Sequence, residues 1–236
     1  MIRNDFKQRT EIVVGSEAID KLRDANILVF GVGGVGGFVV ESLIRAGVGN
    51  ITIVDFDKVD ETNINRQIIA LNSSVGKNKV DVMYERALDI NPNLNIRKVC
   101  ALLTEENCSD FLCQDYDFVV DAIDMVKSKL ALIKECDNKK LRLISSMGMG
   151  NKLDPTKIEI SDIYKTEMCP LAKIIRRESK KMGIRKLTVV YSKEKPSETG
   201  VDEADGKKKR VNGSVSFVPS AAGLIITSYI VRELIK

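Results

Sequence analysis

Three polar residues after the second apolar run, Asn63, Arg66 and Lys79, are of the types that hold phosphate. Arginine meets phosphate oxygens with a planar fork, and lysine meets them as a point charge. Asp124 adds a carboxylate that suits Mg²⁺, a hard cation that takes oxygen ligands. Ahead of these stands the glycine turn Gly31-Val32-Gly33-Gly34-Val35-Gly36, and then Asp55, 19 residues beyond Gly36. Glycines let backbone N–H groups approach a phosphate, and the N-terminus of the following helix adds partial positive charge. Asp55 is placed to accept from a ribose hydroxyl. Together these groups suit attack on the α-phosphate of ATP, with the cations and a metal offsetting the charge that builds as pyrophosphate leaves. A carboxylate nucleophile would give an acyl-adenylate. There is no Walker lysine motif, which argues against γ-phosphate transfer by a P-loop. The glycine turn and Asp55 alone also fit a nicotinamide dinucleotide, so a redox enzyme stays open on those residues.

These side chains need strands and helices to hold them. Residues 27–30 and 51–54 are short apolar runs that read as buried strands, with a helix between them that stops at Gly47. A helix opens after Gly76 and ends at Asn91-Pro92. Further strands are expected at 94–103, 117–124 and 141–145, and helices at 105–113 and 130–136. Strands alternating with helices at this spacing predict a doubly wound, mainly parallel α/β sheet. Beyond residue 146 the spacing predicts a half-exposed strand at 158–163, a basic helix at 171–182 and a strand at 187–191. Residues 192–212 read as a mobile loop. A strand at 215–218 and a last helix from Pro219 complete a small C-terminal extension. Residues 1–25 read as a helical lead-in.

Composition narrows the chemistry. The chain has no His, which excludes an imidazole base or ligand. Five cysteines without a CxxC pair argue against a disulfide framework or a four-thiolate zinc site, and fit a reducing cytoplasm. Cys100, Cys108, Cys113 and Cys136 are expected on apolar, buried or half-buried faces. No apolar run is read as approaching a membrane span, and nothing at the N-terminus marks export. The net charge of +4 is uneven: residues 165–210 hold 14 Lys/Arg against 7 Asp/Glu, so the remainder is mildly acidic. A basic segment on an acidic body suggests a polyanionic partner, and a solvated helix face with a basic loop explains the charge equally well.

The motifs Gly31-Val-Gly-Gly-Val-Gly36, Asp55-Phe-Asp57, Asn63-Ile-Asn-Arg66-Gln67, Val75-Gly76-Lys-Asn-Lys79 and Asp121-Ala-Ile-Asp124, in this order, resemble the ThiF/MoeB/HesA superfamily. These are bacterial relatives of ubiquitin-activating enzymes. Within it, the stretches NRQIIAL, DAIDMVKSK and SVSFVPSAAGLIITSYIV are most similar to the tRNA threonylcarbamoyladenosine dehydratases. The resemblance implies one adenylation domain over 1–236, with a nucleotide-binding half (1–146) and a crossover and substrate-binding half (147–236). It implies that Gly31, Gly33, Gly34 and Gly36 carry the nucleotide phosphates and that Asp55 binds the ribose. Asn63, Arg66 and Lys79 would hold the phosphates and Asp124 the Mg²⁺, while Asp57 stands beside the site in a more structural role. Arg9 resembles an arginine that reaches the partner subunit's ATP in family homodimers.

The implied reaction is ATP-dependent cyclisation of threonylcarbamoyladenosine in tRNA. The tRNA contacts would be Lys173, Arg176, Arg177, Lys180, Lys181, Arg185 and Lys186, with Lys207, Lys208, Lys209 and Arg210. Beside this tRNA and the homodimer, a sulfur-transfer partner stays open. The alternative is adenylation of the C-terminus of a ubiquitin-like sulfur carrier. The lack of CxxC pairs counts against it, since carrier activators often hold a structural zinc. Cys169 stands where thioester-forming relatives place a reactive cysteine. Ring closure within the substrate needs no protein nucleophile, so Cys169-Pro170 is read as a helix start.

Overall fold

In a computed structural model, residues 5–198, 201–204, 207–210 and 212–236 are described, with backbone alone for 201–204 and 207–210. Two short helices, α1 (Gln8–Val14) and α2 (Ser16–Asp24), lead into β1 (Asn26–Phe30), α3 (Gly36–Ala46) and β2 (Asn50–Val54). Then come α4 (Lys79–Ile90), β3 (Asn95–Val99), α5 (Cys108–Phe111), β4 (Phe118–Asp121), α6 (Val126–Lys139) and β5 (Leu143–Ser146). The second half adds β6 (Ile158–Asp162), α7 (Pro170–Lys181), β7 (Thr188–Ser192), a ribbon of β8 (Val201–Ala204) and β9 (Lys207–Arg210), and α8 (Phe217–Leu234).

The main sheet has seven strands in the order β3-β2-β1-β4-β5-β7-β6. All its pairs are parallel except β6 with β7. The chain runs outward from β1 to β2 and β3, then returns to β4 on the other side of β1. A crevice therefore opens at the carboxyl ends of β1 and β4, where such sheets bind ligands. At the amino ends, Asn26, Asn50 and Asn95 stand in register across three strands. Asn95 Nδ2 donates to Asn50 Oδ1 at 2.9 Å, which helps fix that register.

The central strands β1, β2 and β4 are mainly apolar between their ends because both faces are covered. Pleating sends Ile27 and Val29 to the core under α3, α4 and α8, and Leu28 and Phe30 to the core under α5 and α6. Helix α8 crosses α3 at close range: a Cβ on Gly223 would stand 2.6 Å from Val35 O. Ser42 Oγ donates to Thr227 Oγ1 at 2.7 Å across the same contact. Burying a side chain such as Ile226 or Ile230 here contributes about 1.5–3 kcal/mol.

Several expectations are corrected. Residues 217–218 are helical, and α8 begins two residues before Pro219. Proline is tolerated in a first turn, and Val218 is drawn into the core under the sheet. The run from Phe217 to Leu234 is long and apolar enough to cross a membrane by length and composition, contrary to the reading above. Its side chains Val218, Ala222, Ile226 and Ile230 are fully buried within the fold. The loop expected at 192–212 contains the antiparallel ribbon β8–β9, with Val201 opposite Arg210. Cys100 and Cys113 are exposed, while Cys108 and Cys136 are buried as expected and all five are free. Burial pushes the Cys108 thiol up to about 11.

Candidate nucleotide site

The crevice holds a cavity of about 450 Å³. The glycine turn forms one wall. Gly31 has φ +87°, and a Cβ there would stand 2.6 Å from Ala122 O. Gly31, Gly33 and Gly34 line the cavity. Gly36 does not: a Cβ on it would meet Gly31 O at 1.8 Å, so this glycine lets the turn close on itself. Asp55 pins the same turn from β2. Its Oδ2 accepts from Val32 N at 2.6 Å, and its Oδ1 accepts from Asp57 N at 2.8 Å. Each carboxylate oxygen keeps acceptor capacity, and Asp55 still lines the cavity.

Lys79 opens α4 and is only 6% exposed. Its Nζ meets Asp57 Oδ2 at 2.7 Å, and its backbone N–H donates to Asp57 O at 2.9 Å. Asp57 thus holds the lysine that faces the ligand. Arg66 Nη1 donates to Thr62 O at 2.7 Å and to Asn65 Oδ1 at 2.9 Å. The guanidinium is thereby steered while its other nitrogens remain available. Asn63 is buried outside the cavity lining. Its Oδ1 accepts from Asp60 N at 3.2 Å in a capping box. Asp60 at the N-cap is the one sequence signal for this cap. Glu41 joins the two site helices, meeting Arg86 on α4 at 2.7 Å and Arg45 on its own helix at 2.8 Å. Burial pushes its carboxyl up, and the hydrogen bonds from Arg86 and Arg45 outweigh this, holding it below its ordinary value.

The opposite wall begins where β4 ends. Asp121 and Lys129 are both fully buried, with Nζ 2.8 Å from Oδ2. Ser145 Oγ also donates to that oxygen at 2.5 Å, and Lys129 Nζ donates to Ser146 O at 2.9 Å. This network ties the ends of β4 and β5 to α6. Three residues on, Asp124 is exposed and lines the cavity. Among the described residues no three metal-ligating side chains converge. A cation held by Asp124 would complete its octahedron with ligand oxygens and water, as Mg²⁺ commonly does.

The cavity is bordered by Met147, Gly148, Met149 and Gly150, and by a strap at Asn212, Gly213 and Ser214. Asn151, at φ +58°, latches that strap. Its backbone N–H donates to Gly213 O at 2.8 Å and its Oδ1 accepts from Gly213 N at 2.7 Å. Asn65 holds the other side through Ser214 O at 2.9 Å. The sequence reading gave no role to Asn151, Lys129 or Asn65. Their residue types carry no signal until the fold supplies partners.

Cys169 is 4% exposed at the N-cap of α7 and outside the cavity lining. Nearby Lys152 is also buried, donating to Gly148 O at 3.0 Å, and burial lowers its pKa. Arg9 is exposed on α1 and does not line this chain's cavity.

Among the basic residues, Arg176 is spent on Thr166 O at 2.8 Å, and Arg177 and Lys181 both pair with Glu178. Lys173, Lys180, Arg185 and Lys186 are exposed. Leu171 borders the cavity, whereas Lys186 sits by the amino ends of β4, β5 and β7, beside Phe118, Leu143 and Thr188. The basic series therefore runs from the mouth of the site to the far end of the sheet. Lys207–Arg210 are described as strand backbone, and their side chains lie outside the described residues.

Comparison with known proteins places the chain among its relatives. The model of the ThiF family matches residues 7–236. The chain is 44% identical over 238 residues to tRNA threonylcarbamoyladenosine dehydratase of Bacillus subtilis, covering 97% of this chain and 94% of that protein. Crystal structures of the Escherichia coli tRNA N6-threonylcarbamoyladenosine dehydratase, TcdA, were solved with ATP and with AMP. They superpose with TM-scores of 0.90 and 0.89 at 34% identity, each covering 99% of this chain and 96% of that one. A whole-chain match of this kind, on a crevice built as above, is decisive: the chain belongs to the ThiF family.

Proposed function

We propose that the protein is an ATP-dependent tRNA threonylcarbamoyladenosine dehydratase that works as a single adenylation unit. The observation that carries this reading is the crevice at the end of β1. It has a glycine turn pinned by Asp55, a buried Lys79 held by Asp57, and Arg66 beside them. Support for the substrate comes from the relatives, which are named for it over nearly the whole chain.

The chemistry follows from the residues. The glycine turn and Lys79 hold the phosphates of ATP, and Arg66 offers its free nitrogens to them. Asp55 accepts from the ribose. Asp124 would hold Mg²⁺, which would help neutralise the departing pyrophosphate. The threonyl carboxylate of the modified adenosine attacks the α-phosphorus. An O–P bond forms, pyrophosphate leaves, and an acyl-adenylate results. The carbamoyl nitrogen then attacks the activated carbonyl, loses its proton, and expels AMP as the ring closes. Lys173, near the mouth, meets tRNA phosphates, and Lys180 continues the series toward the far end of the sheet. The exposed Phe6, Ile12 and Val13 around α1 suit a homodimer interface that would carry Arg9 to the partner's ATP. The buried Cys169 is a helix-start residue in this scheme, and no sulfur-transfer partner is needed.

The test is ATP–pyrophosphate exchange. Exchange driven by tRNA bearing linear threonylcarbamoyladenosine, with AMP release and cyclic product, supports the reading. Exchange driven by a Gly-Gly-ended carrier protein, and not by that tRNA, overturns it.

A further inference from the structure

Gln67 follows Arg66 and has no part in the scheme above. Its side chain is 7% exposed, yet its Oε1 is buried with no hydrogen-bond partner. Among the described residues neither end of the carboxamide is bonded. Its backbone is fixed, with N–H donating to Asn63 O at 2.9 Å and C=O accepting from Ala70 N at 3.0 Å. The nitrogen end lies at the glycine turn, with Nε2 3.8 Å from the point where a Cβ on Gly33 would stand. The residue lines the nucleotide cavity between that turn and Arg66.

Burying an amide without a partner destabilises a folded protein, and native structures keep such groups few. An apolar side chain of the same length would fill this volume without that cost. The orphaned Oε1 is an acceptor that a phosphate cannot complete, so the part of this glutamine open to a phosphate is the donor, its nitrogen end. ATP phosphates supply acceptors only, and the nitrogen end is the one beside the turn that cradles phosphate.

We propose that Gln67 is a nucleotide-contacting residue whose Nε2 donates to a phosphate oxygen of ATP beside the glycine turn. This rests on the ATP reading of the site and deepens it. As a neutral donor, Gln67 orients the phosphate without adding to the positive charge that Arg66 and Lys79 already bring.

Gln67→Met tests it through two quantities that move in opposite directions. Without ligand, the variant is expected to melt no lower than wild type, since the orphaned carbonyl is gone. Its Kd for ATP should rise about tenfold, the loss of one hydrogen bond to a charged group. Affinity for adenosine, which lacks phosphate, should be unchanged. A variant that melts lower and binds ATP as wild type does would overturn the assignment, and so would an equal loss for ATP and adenosine. Gln67→Glu preserves size and places a carboxylate against the phosphates, so it should bind ATP more weakly still. Wild-type affinity in that variant also overturns the proposal. Wild-type protein that ATP fails to stabilise would instead remove the reading of the site itself.

Discussion

The floor of the crevice and the basic helix α7 use charge in opposite ways. At the floor two lysines are each set against an anion at short range: Lys79 on Asp57 at 2.7 Å, and Lys129 on Asp121 at 2.8 Å with both of the latter pair fully buried. Along α7, Arg177 and Lys181 share Glu178, while Lys173 and Lys180 project into solvent. Buried charges cost desolvation and stay where partners fix them, so they act as preorganised electrostatics. Exposed charges are cheap to place and are screened within about 8–10 Å at ordinary ionic strength. The floor is therefore built to do chemistry at fixed distances, and α7 to gather a polyanion loosely.

That contrast can be broken at several points. The largest effect is expected at Asp124, the exposed carboxylate of the crevice. Asp124→Ala should reduce Mg²⁺-dependent AMP formation by about 10³-fold at unchanged melting temperature, on the scale of a lost transition-state stabiliser. Near-normal turnover would show that the cation is held elsewhere. Lys129→Met leaves Asp121 buried and unpaired, and should cost about 3–5 kcal/mol in urea unfolding. The double variant with Asp121→Asn should recover much of it, and an additive double loss would mean the pair is not coupled.

A smaller effect is expected at Glu41, which staples α3 to α4. Its folded-state carboxyl lies below its ordinary value, so its contribution is complete above about pH 4.5 and is lost as pH falls through the folded value. Glu41→Gln should lower stability by about 1–3 kcal/mol at pH 7 and flatten the acid side of the stability curve. A curve parallel to that of wild type would refute the role of the staple. The smallest effect belongs to α7. Lys173→Glu should lower the salt slope of tRNA binding by about one and Lys186→Glu by less, since Lys186 stands at the far end of the sheet. Equal slopes for the two would argue that the tRNA runs from α7 past Lys186 at the far end of the sheet.

The sequence announced the floor better than the rim. Strand, turn, helix and strand around Gly31, Asp55 and Lys79 were legible because backbone geometry demands those residue types at those spacings. What those residues hold was less legible. Asp55 reads as a ribose acceptor, yet it also pins Val32 and Asp57 by backbone hydrogen bonds that no spacing reveals. Gly36 and Asn63 carry the right types and point inward, one to let the turn close and the other to cap its own segment. Lys129 was invisible because its partner lies eight residues earlier on another element. The start of α8 was misread because Val215 and Phe217 alternate over a run too short to tell strand from helix, and the core claimed Val218.

The most direct measurement is pyrophosphate exchange into ATP with defined acyl acceptors. With tRNA carrying linear threonylcarbamoyladenosine, the expected result is rapid exchange together with one AMP released per cyclic nucleoside formed. Exchange that ignores this tRNA and responds instead to a carrier protein ending in Gly-Gly would contradict it.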